Sequence, residues 1–514
     1  MSASAAGQLP SLATRAGIVT LLNAIALASG LLLYRWLAAL FGATETTDAF
    51  FLALVIPSLF IGPVLSTAAA TLTPVLTECR INHPERVGPI VGSALLWSVI
   101  AAAAAAAVIG LLAPAGLEAT GRVLSPTLRR LVVVNVVALL PLVVAQTASA
   151  ILSIASNAAA CLWLPPCALI ARQVVTIVLA VGLHDRLGVL ALPIAFSAGG
   201  VAQLAVLLAL WRCTATRIQF GWRLRGELAE GLRRGVPLLI GTALLQLAVV
   251  VTRFLAAQLP PGSVTALDYA TRIYAAVVDV AASGLLLVTL TDWSAVNARG
   301  DVAGLQLRVR HTVTLALFAL VPVVVALYAG REPLVGLWLG RAGIDPALGA
   351  ATAMTLGYLV LALPLEITGR IYSQLLVVRR VPWILAAIAA VRGTATVALA
   401  AALSGPLGVP GIGAAETLGL LVSAAALAGA AQRLAGHSLT ETLVAGARLA
   451  MAGVGAWLAA HGAYAVLSGR TNVVLLTAVT ATALTAYLGL AWALRAPELR
   501  AVIGYAFGRR AVGH

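Results

Sequence analysis

The sequence predicts an all-α polytopic membrane protein with about 14 transmembrane helices. Of its 514 residues, 61% are hydrophobic and 10% are charged, whereas a typical soluble protein carries about 25% charged residues. The mean hydropathy is +1.02. The apolar residues also cluster in segments long enough to cross a hydrocarbon core of about 30 Å. These observations exclude a soluble enzyme, a disordered protein and a nucleic-acid-binding protein.

The apolar segments follow one another along the whole chain, and turns rich in Gly and Pro, such as Leu259–Gly262, separate most of them. The second and fourth are long enough to tilt or to project beyond the bilayer. The predicted spans cover residues 16–41, 47–77, 88–113, 127–154, 159–183, 188–211, 235–258, 264–291, 310–330, 347–376, 383–402, 409–432, 443–467 and 472–495.

The distribution of arginines predicts the orientation, because cytoplasmic loops are enriched in basic residues. With the N-terminus in the cytoplasm, about 20 arginines fall on the inner side and about 5 to 7 on the outer side. All 33 basic residues are arginines. We therefore expect both termini to be cytoplasmic.

A basic loop at 212–234 separates six predicted spans from eight. Within it, the run 218–234 interleaves aromatic residues with arginines, a pattern that suits an anionic membrane surface. An ordinary positive-inside loop is the alternative. The predicted organisation is a first lobe (1–211), this linker (212–234), a second lobe (235–432) and two C-terminal helices with a basic tail (433–514).

Charged residues inside the spans mark the candidate site, since a charge at the bilayer centre costs about 2.5–3.5 kcal/mol and usually faces a cavity or the bundle interior. In span eight, spacings of four and seven place three such residues on one helical face. A guanidinium binds phosphate oxygens bidentately. The sequence therefore predicts a site for an anionic headgroup such as a pyrophosphate. The arginines predicted to bind it are Arg35, Arg253 and Arg272, and the acids predicted to balance charge or couple an ion are Asp48, Asp268 and Asp279.

Two i,i+4 pairs also admit a purely structural interpretation. Asp268 and Arg272 can neutralise each other on span eight, and for Glu366 and Arg370 near the cytoplasmic end of span ten the structural pair is favoured. Three further charged residues within spans have no partner that the sequence identifies: Arg172, Arg392 and Glu416.

Motifs for catalysis, nucleotide binding or metal binding are absent from the sequence. The six histidines lack ligand spacing, and no Walker A sequence or dinucleotide-binding fingerprint occurs. We therefore expect no enzymatic activity, cofactor or metal, and a process driven by an ion gradient, by the membrane potential or by the substrate's own gradient.

Several short motifs resemble the MurJ/MviN family, which flips lipid II and belongs to the multidrug/oligosaccharidyl-lipid/polysaccharide exporter superfamily. The motifs are Leu40–Phe51, Ile56–Leu59, Thr73–Leu76, Leu267–Ile273, Leu361–Pro364 and Arg370–Gln374. The resemblance implies two pseudo-symmetric six-helix lobes around a central cavity lined by spans one, two, seven and eight. It also implies two extra C-terminal spans that form a groove for a lipid tail.

The resemblance carries over to Asp48 and Arg272 directly. Arg35 and Arg253 are displaced from the family's charged positions, which Leu33 and Thr252 occupy here. It further implies that the chain flips a polyprenyl-pyrophosphate-linked saccharide from the cytoplasmic to the outer leaflet by alternating access. The expected location is the bacterial cytoplasmic membrane, and the expected partners are the lipid-linked saccharide, membrane lipids and cell-wall synthesis proteins.

Four alternatives remain open at this point. The substrate could be another lipid-linked polysaccharide, of the O-antigen or exopolysaccharide type, or the chain could export drugs or organic cations. A membrane polymerase or ligase would need a sizeable outer loop, which the sequence lacks. A non-transporting scaffold of the same fold is the fourth.

Overall fold

The computed structural model describes residues 12–119, 124–214, 216–222, 226–298, 301–340, 345–379, 381–436 and 439–500. These residues form sixteen α-helices joined by short turns, which confirms the predicted all-α class. The helices are α1 (Leu12–Phe41), α2 (Glu45–Asn82), α3 (Val87–Ala119), α4 (Pro126–Ala158), α5 (Leu164–Leu187), α6 (Ala191–Leu210), α7 (Gly226–Ala256), α8 (Ser263–Ala298), α9 (Val302–Ala329), α10 (Arg331–Leu339), α11 (Pro346–Leu361), α12 (Leu363–Val378), α13 (Pro382–Leu407), α14 (Val409–Ala435), α15 (Leu439–Leu467) and α16 (Asn472–Ala493).

Twelve helical segments in the described part of the chain are long and apolar enough to cross a membrane. The predicted number of fourteen is not confirmed. One of the twelve, Leu164–Leu210, is 47 residues long and contains both α5 and α6. A continuous helix of that size would measure about 70 Å, more than twice the hydrocarbon thickness. The chain breaks at Gly188, whose φ of +54° favours glycine. Helix α8, which carries three charged residues in its first half, is not among the twelve.

The chain divides into two compact units. Unit 1 comprises Met1–Phe41 with Glu45–Gln246, and unit 2 comprises Gly42–Thr44 with Leu247–His514. The division falls inside α7. The lobe boundaries predicted from the sequence remain a prediction.

In unit 1, α4 is the central helix and packs against α2, α3 and α6, while α5 packs against α6 and α1. One buried apolar cluster joins α2, α3 and α4 with the ends of α5 and α6. Three prolines, Pro57, Pro63 and Pro74, lie inside α2. Each removes one backbone hydrogen bond of the helix.

In unit 2, α8, α9, α12 and α14 enclose one apolar core, and α9, α15 and α16 enclose another. The hydroxyl of Tyr487, fully buried on α16, donates to the carbonyl of Phe318 on α9 at 3.0 Å. Helices α13 and α14 pack against each other, and α14 also packs against α11 and α12. The charged residues described below lie on these helices.

Three local features differ from the simple series of spans. The tenth predicted span consists of two helices, α11 and α12, because the chain turns at Ala362 ahead of Pro364. The loop predicted after span nine contains the additional short helix α10. Residues 216–222 of the basic loop are not helical, and helix α7 begins only at Gly226.

Candidate functional site

A buried arginine on α7 connects three helices of unit 2. The side chain of Arg253 is 4% exposed, and its guanidinium lies 3.9 Å from Oδ1 of Asp268 and 3.7 Å from Oε1 of Glu416. Nη2 also donates to Oγ1 of Thr271 at 3.1 Å. Because Asp268 and Thr271 are on α8 and Glu416 is on α14, one guanidinium ties together α7, α8 and α14.

Asp268 lies between this buried arginine and a second, more exposed one. Its Oδ2 accepts a hydrogen bond from Nε of Arg272 at 3.3 Å, as the i,i+4 spacing predicts. The carboxylate is only 8% exposed, whereas the Arg272 side chain is 41% exposed. The buried residues Arg253 and Asp268 therefore hold a third residue, Arg272, whose side chain is partly exposed. We call Arg253, Asp268 and Arg272 the α8 cluster.

A similar arrangement occurs on α12. Oε1 of Glu366 accepts from Nε of Arg370 at 2.9 Å, and its Oε2 lies 3.7 Å from Nη1 of Arg392 on α13. Arg370 is also 41% exposed. We call Glu366, Arg370 and Arg392 the α12 cluster. It repeats the acid-to-arginine spacing of the α8 cluster and the approach of a second arginine from a neighbouring helix.

Glu416 joins the two clusters. Besides its contact with Arg253, it lies within electrostatic range of Arg392. Asp279, exposed on α8, lies within electrostatic range of Arg370. The two residues that the sequence left isolated in this part of the chain, Arg392 and Glu416, are therefore members of one network. The sequence showed them only as charges within spans, and their partners are far away along the chain.

The buried position of Arg253 has an energetic consequence. Its Nε and Nη1 have no hydrogen-bond partner among the described residues, and both carboxylates lie beyond ordinary hydrogen-bond length. A buried ion pair of this kind adds little net stability, because desolvation offsets the attraction between its charges. Removing one member would nevertheless leave an uncompensated buried charge. The network thus fixes the positions of α7, α8 and α14 relative to one another.

The two remaining predicted site residues belong to unit 1. Arg35 is exposed on α1, next to the buried Tyr34. Asp48 lies in the first turn of α2 and is 4% exposed. A carboxylate in the first turn of a helix is stabilised, because the helix dipole places partial positive charge at the N-terminal end. The other four predicted site residues lie in unit 2, and the α8 cluster brings three of them together.

The chain matches a family model described as "Lipid II flippase MurJ" over residues 37–479. Its fold is similar to that of a solved lipid II flippase MurJ in an inward closed conformation, with a TM-score of 0.76 and 15% identity over 92% of this chain and 97% of the other. An inward-facing multidrug resistance MATE transporter gives a TM-score of 0.66 and 16% identity over 82% of this chain and 98% of that one. A MOP superfamily transporter from Pyrococcus furiosus gives a TM-score of 0.61 and 14% identity over 82% of this chain and 95% of that one. No curated protein matches the sequence.

Proposed function

Because the chain belongs to the MurJ family of lipid II flippases, we propose that it moves lipid II from the cytoplasmic to the outer leaflet of the bacterial cytoplasmic membrane. As a member of a flippase family it is a transporter and not an enzyme. The substrate is a saccharide attached through a pyrophosphate to a polyprenyl chain. The protein must therefore accept a compact anionic group within the membrane and release it on the other side.

The observation that carries this proposal is Arg272, an accessible arginine on a rigid support. Its side chain is 41% exposed, while the carboxylate that orients it is nearly buried and is held in turn by Arg253. A guanidinium stays charged at any physiological pH and presents planar donors that match phosphate oxygens. Orientation through Asp268 reduces the conformational freedom that Arg272 loses when a phosphate binds.

The other predicted site residues take supporting roles in this proposal. Arg35, which is exposed, contacts the pyrophosphate, and the buried Arg253 contributes by holding Asp268 in place. The acids Asp48, Asp268 and Asp279 balance the charge of the arginines or couple an ion to transport.

Transport proceeds in this proposal by alternating access between two lobes, residues 1–211 and 235–432, with both termini in the cytoplasm. The C-terminal helices within 433–514 accommodate the lipid tail. Cell-wall synthesis proteins that make or consume lipid II are the expected partners. The excess of arginines in alternate loops supports the orientation.

Complementation tests the function directly. The chain is expressed in a strain depleted of its own lipid II flippase, and lipid II accessible from outside is measured by a reagent that cannot cross the membrane. The native chain should restore growth and external lipid II, and Arg272→Gln should restore neither while reaching the same level in the membrane. Normal expression without external lipid II from the native chain would contradict lipid II as the substrate.

Cysteine labelling tests the orientation. Gly262, in the turn before α8, is unsuitable because its φ of +91° disfavours any side chain and an added Cβ would lie 2.9 Å from the carbonyl oxygen of Ala43. Its neighbour Pro261 is exposed. A membrane-impermeant thiol reagent should label Pro261→Cys and should not label Gly226→Cys, whose position is exposed with no neighbour within 4 Å. The reverse pattern would contradict the cytoplasmic termini.

A further inference from the structure

The backbone of the segment between α6 and α7 packs closely against helix α3. Residues 216–222, here called the α6–α7 segment, are non-helical and run along the beginning of α3. The amide of Gln219 donates to the carbonyl of Gly88 at 3.3 Å. At one end Nε1 of Trp211 donates to the carbonyl of Thr216 at 2.8 Å, and at the other Nε1 of Trp97 donates to the carbonyl of Trp222 at 3.2 Å.

Two glycines of α3, one helical turn apart, allow this close packing. A Cβ on Gly88 would collide with the carbonyl oxygen of Arg217, and a Cβ on Gly92 would collide with that of Gln219. Backbone can approach a helix this closely only where side chains are absent. In addition, Ile218 packs against the apolar core of unit 1. The conformation of this segment is therefore specified by the sequence of α3.

Once seated, the α6–α7 segment presents aromatic rings and positive charge outwards. Phe220 is 67% exposed and Trp222 is 71% exposed, and the indole of Trp222 packs edge to face with that of Trp97. Arg212 and Arg217 are exposed, and neither makes an ion pair with a described residue. Residues 212–222 contain no Asp or Glu. Large exposed aromatic side chains are unfavourable in water but typical of the membrane interface.

The backbone of the segment limits its depth in the membrane. Backbone that is neither helix nor sheet cannot satisfy its own hydrogen bonds, so it does not face lipid within the hydrocarbon region. Helix α3 has 33 residues, and at 1.5 Å per residue it measures about 50 Å, some 20 Å more than the hydrocarbon core. Its contacts with the segment begin at Gly88 in its first turn and end at Trp97, about 13 Å further along. The part of α3 beyond Trp97 measures about 33 Å and is long enough to cross the hydrocarbon core by itself. The stretch from Gly88 to Trp97 can therefore lie outside the core, where water and lipid phosphates can bind the open backbone groups.

We propose that the α6–α7 segment is a binding site for anionic phospholipid at the cytoplasmic surface, with Phe220 and Trp222 inserted at the level of the headgroups and with Arg212 and Arg217 contacting the lipid phosphates. Charge complementarity selects an anionic lipid over a zwitterionic one. The site shares no residue with the proposed pyrophosphate site and does not depend on the proposed transport function.

Fluorescence quenching in membranes of defined composition tests the site. The full-length protein is reconstituted in phosphatidylcholine bilayers that contain a fraction of lipid brominated on its acyl chains, either phosphatidylcholine or phosphatidylglycerol. The fluorescence lost on Trp222→Phe isolates the signal of that residue. Brominated phosphatidylglycerol should quench it more strongly. A surface arginine typically strengthens binding about five-fold, so the double variant Arg212→Gln/Arg217→Gln should lower the lipid preference by up to about 25-fold.

A second tryptophan provides the matched control. Trp492 on α16 is 76% exposed, and its preference between the two lipids should be unchanged in the double variant. A second variant, Gly92→Ala, keeps both arginines but prevents the close packing of the α6–α7 segment on α3. It should therefore also weaken the lipid preference at Trp222. Thermal midpoints of the variants check that they fold. Equal quenching of Trp222 by the two lipids in the native protein, no quenching by either, or a preference that persists in the double variant would overturn the proposal.

Discussion

The α8 and α12 clusters share one design but differ in how deeply they are enclosed. In each, an acid binds the arginine four residues later through Nε, and a second arginine from the preceding or following helix approaches its other oxygen. The exposed arginine is 41% accessible in both. The second arginine is not equivalent: Arg253 is 4% exposed, and Arg392 is 31% exposed.

This difference in burial predicts a difference in rigidity between the two clusters. The two arginines of the α12 cluster are both partly exposed, so we expect its pairs to contribute less and to exchange partners at a lower cost. The buried acid–arginine contacts of the α8 cluster are much less screened, so its geometry is fixed. Identical spacing in the sequence therefore yields a rigid support for Arg272 and a looser contact for Arg370. The following predictions test this distinction, beginning with the largest effect.

The second arginines should differ most in stability. Arg253→Gln leaves the buried Asp268 and the partly buried Glu416 without their shared cation, and breaking a buried pair in this way costs about 3–5 kcal/mol. Arg392→Gln, at a partly exposed position, should cost about 1 kcal/mol or less. The free energy of unfolding of the purified variants in detergent measures both. Equal losses would contradict the distinction between the clusters.

The exposed arginines should differ most in transport. Arg272→Lys keeps the charge but loses the planar donors, and the lost charged hydrogen bond, worth about 1.5–3 kcal/mol, predicts a loss of about tenfold or more in external lipid II. Arg370→Lys is the matched control and should change transport by about two-fold or less, as expected for a substitution within about ±0.5 kcal/mol. A similar loss in both variants would assign substrate contact to both clusters.

Removal of a whole pair should separate structure from transport. Asp268→Asn alone leaves two arginines with one remaining acid, Glu416. The double variant Asp268→Asn/Arg272→Gln removes one charge of each sign and leaves Arg253 with Glu416. It should recover about 1 kcal/mol of unfolding free energy relative to Asp268→Asn, since contacting charges typically couple by about 0.5–3 kcal/mol. Transport should not recover. Full transport by the double variant would make the pair structural and would move the headgroup site elsewhere.

The smallest effect is expected for Asp279→Asn. Because Asp279 is exposed and Arg370 keeps Glu366 as a partner, the unfolding free energy should change by about 0.5 kcal/mol or less and transport by about two-fold or less. Transport is then measured in proteoliposomes with and without a proton or sodium gradient. Dependence on a gradient in the native protein that disappears in the variant would assign ion coupling, rather than charge balance, to Asp279.

Apolar length and spacing make much of this architecture predictable. Each of the fourteen predicted segments is helical over most of its length, because a long apolar run in a membrane protein has few alternatives to a helix. The turn at Ala362 was missed because the signal, Pro364, is one of many prolines that the spans tolerate. The number of membrane-spanning helices is harder to predict. Charged residues lower the hydropathy of a helix such as α8, but they do not prevent it from packing in the core of the protein.

Only part of the charged network can be predicted from the sequence. The pairs Asp268–Arg272 and Glu366–Arg370 follow from i,i+4 spacing alone. The partners of Arg253, Arg392 and Glu416 do not, because they depend on which helices are neighbours, and packing between apolar helices leaves no periodic trace in one sequence. The packing of the α6–α7 segment on α3 is equally unpredictable from the sequence, since nothing distinguishes Gly88 and Gly92 from the other glycines in a chain with 47 of them.

The network of unit 2 has equal numbers of positive and negative members. Its arginines are Arg253, Arg272, Arg370 and Arg392, and its acids are Asp268, Asp279, Glu366 and Glu416. A neutral network adds no charge of its own to a pyrophosphate that binds to it in the proposed transport cycle, so the complex would carry the substrate's negative charge. Moving one elementary charge through a potential of 100 mV is worth about 2.3 kcal/mol. In the proposed cycle, an interior-negative membrane potential would therefore perform electrical work of about 4–5 kcal/mol on a doubly charged headgroup that moves outwards.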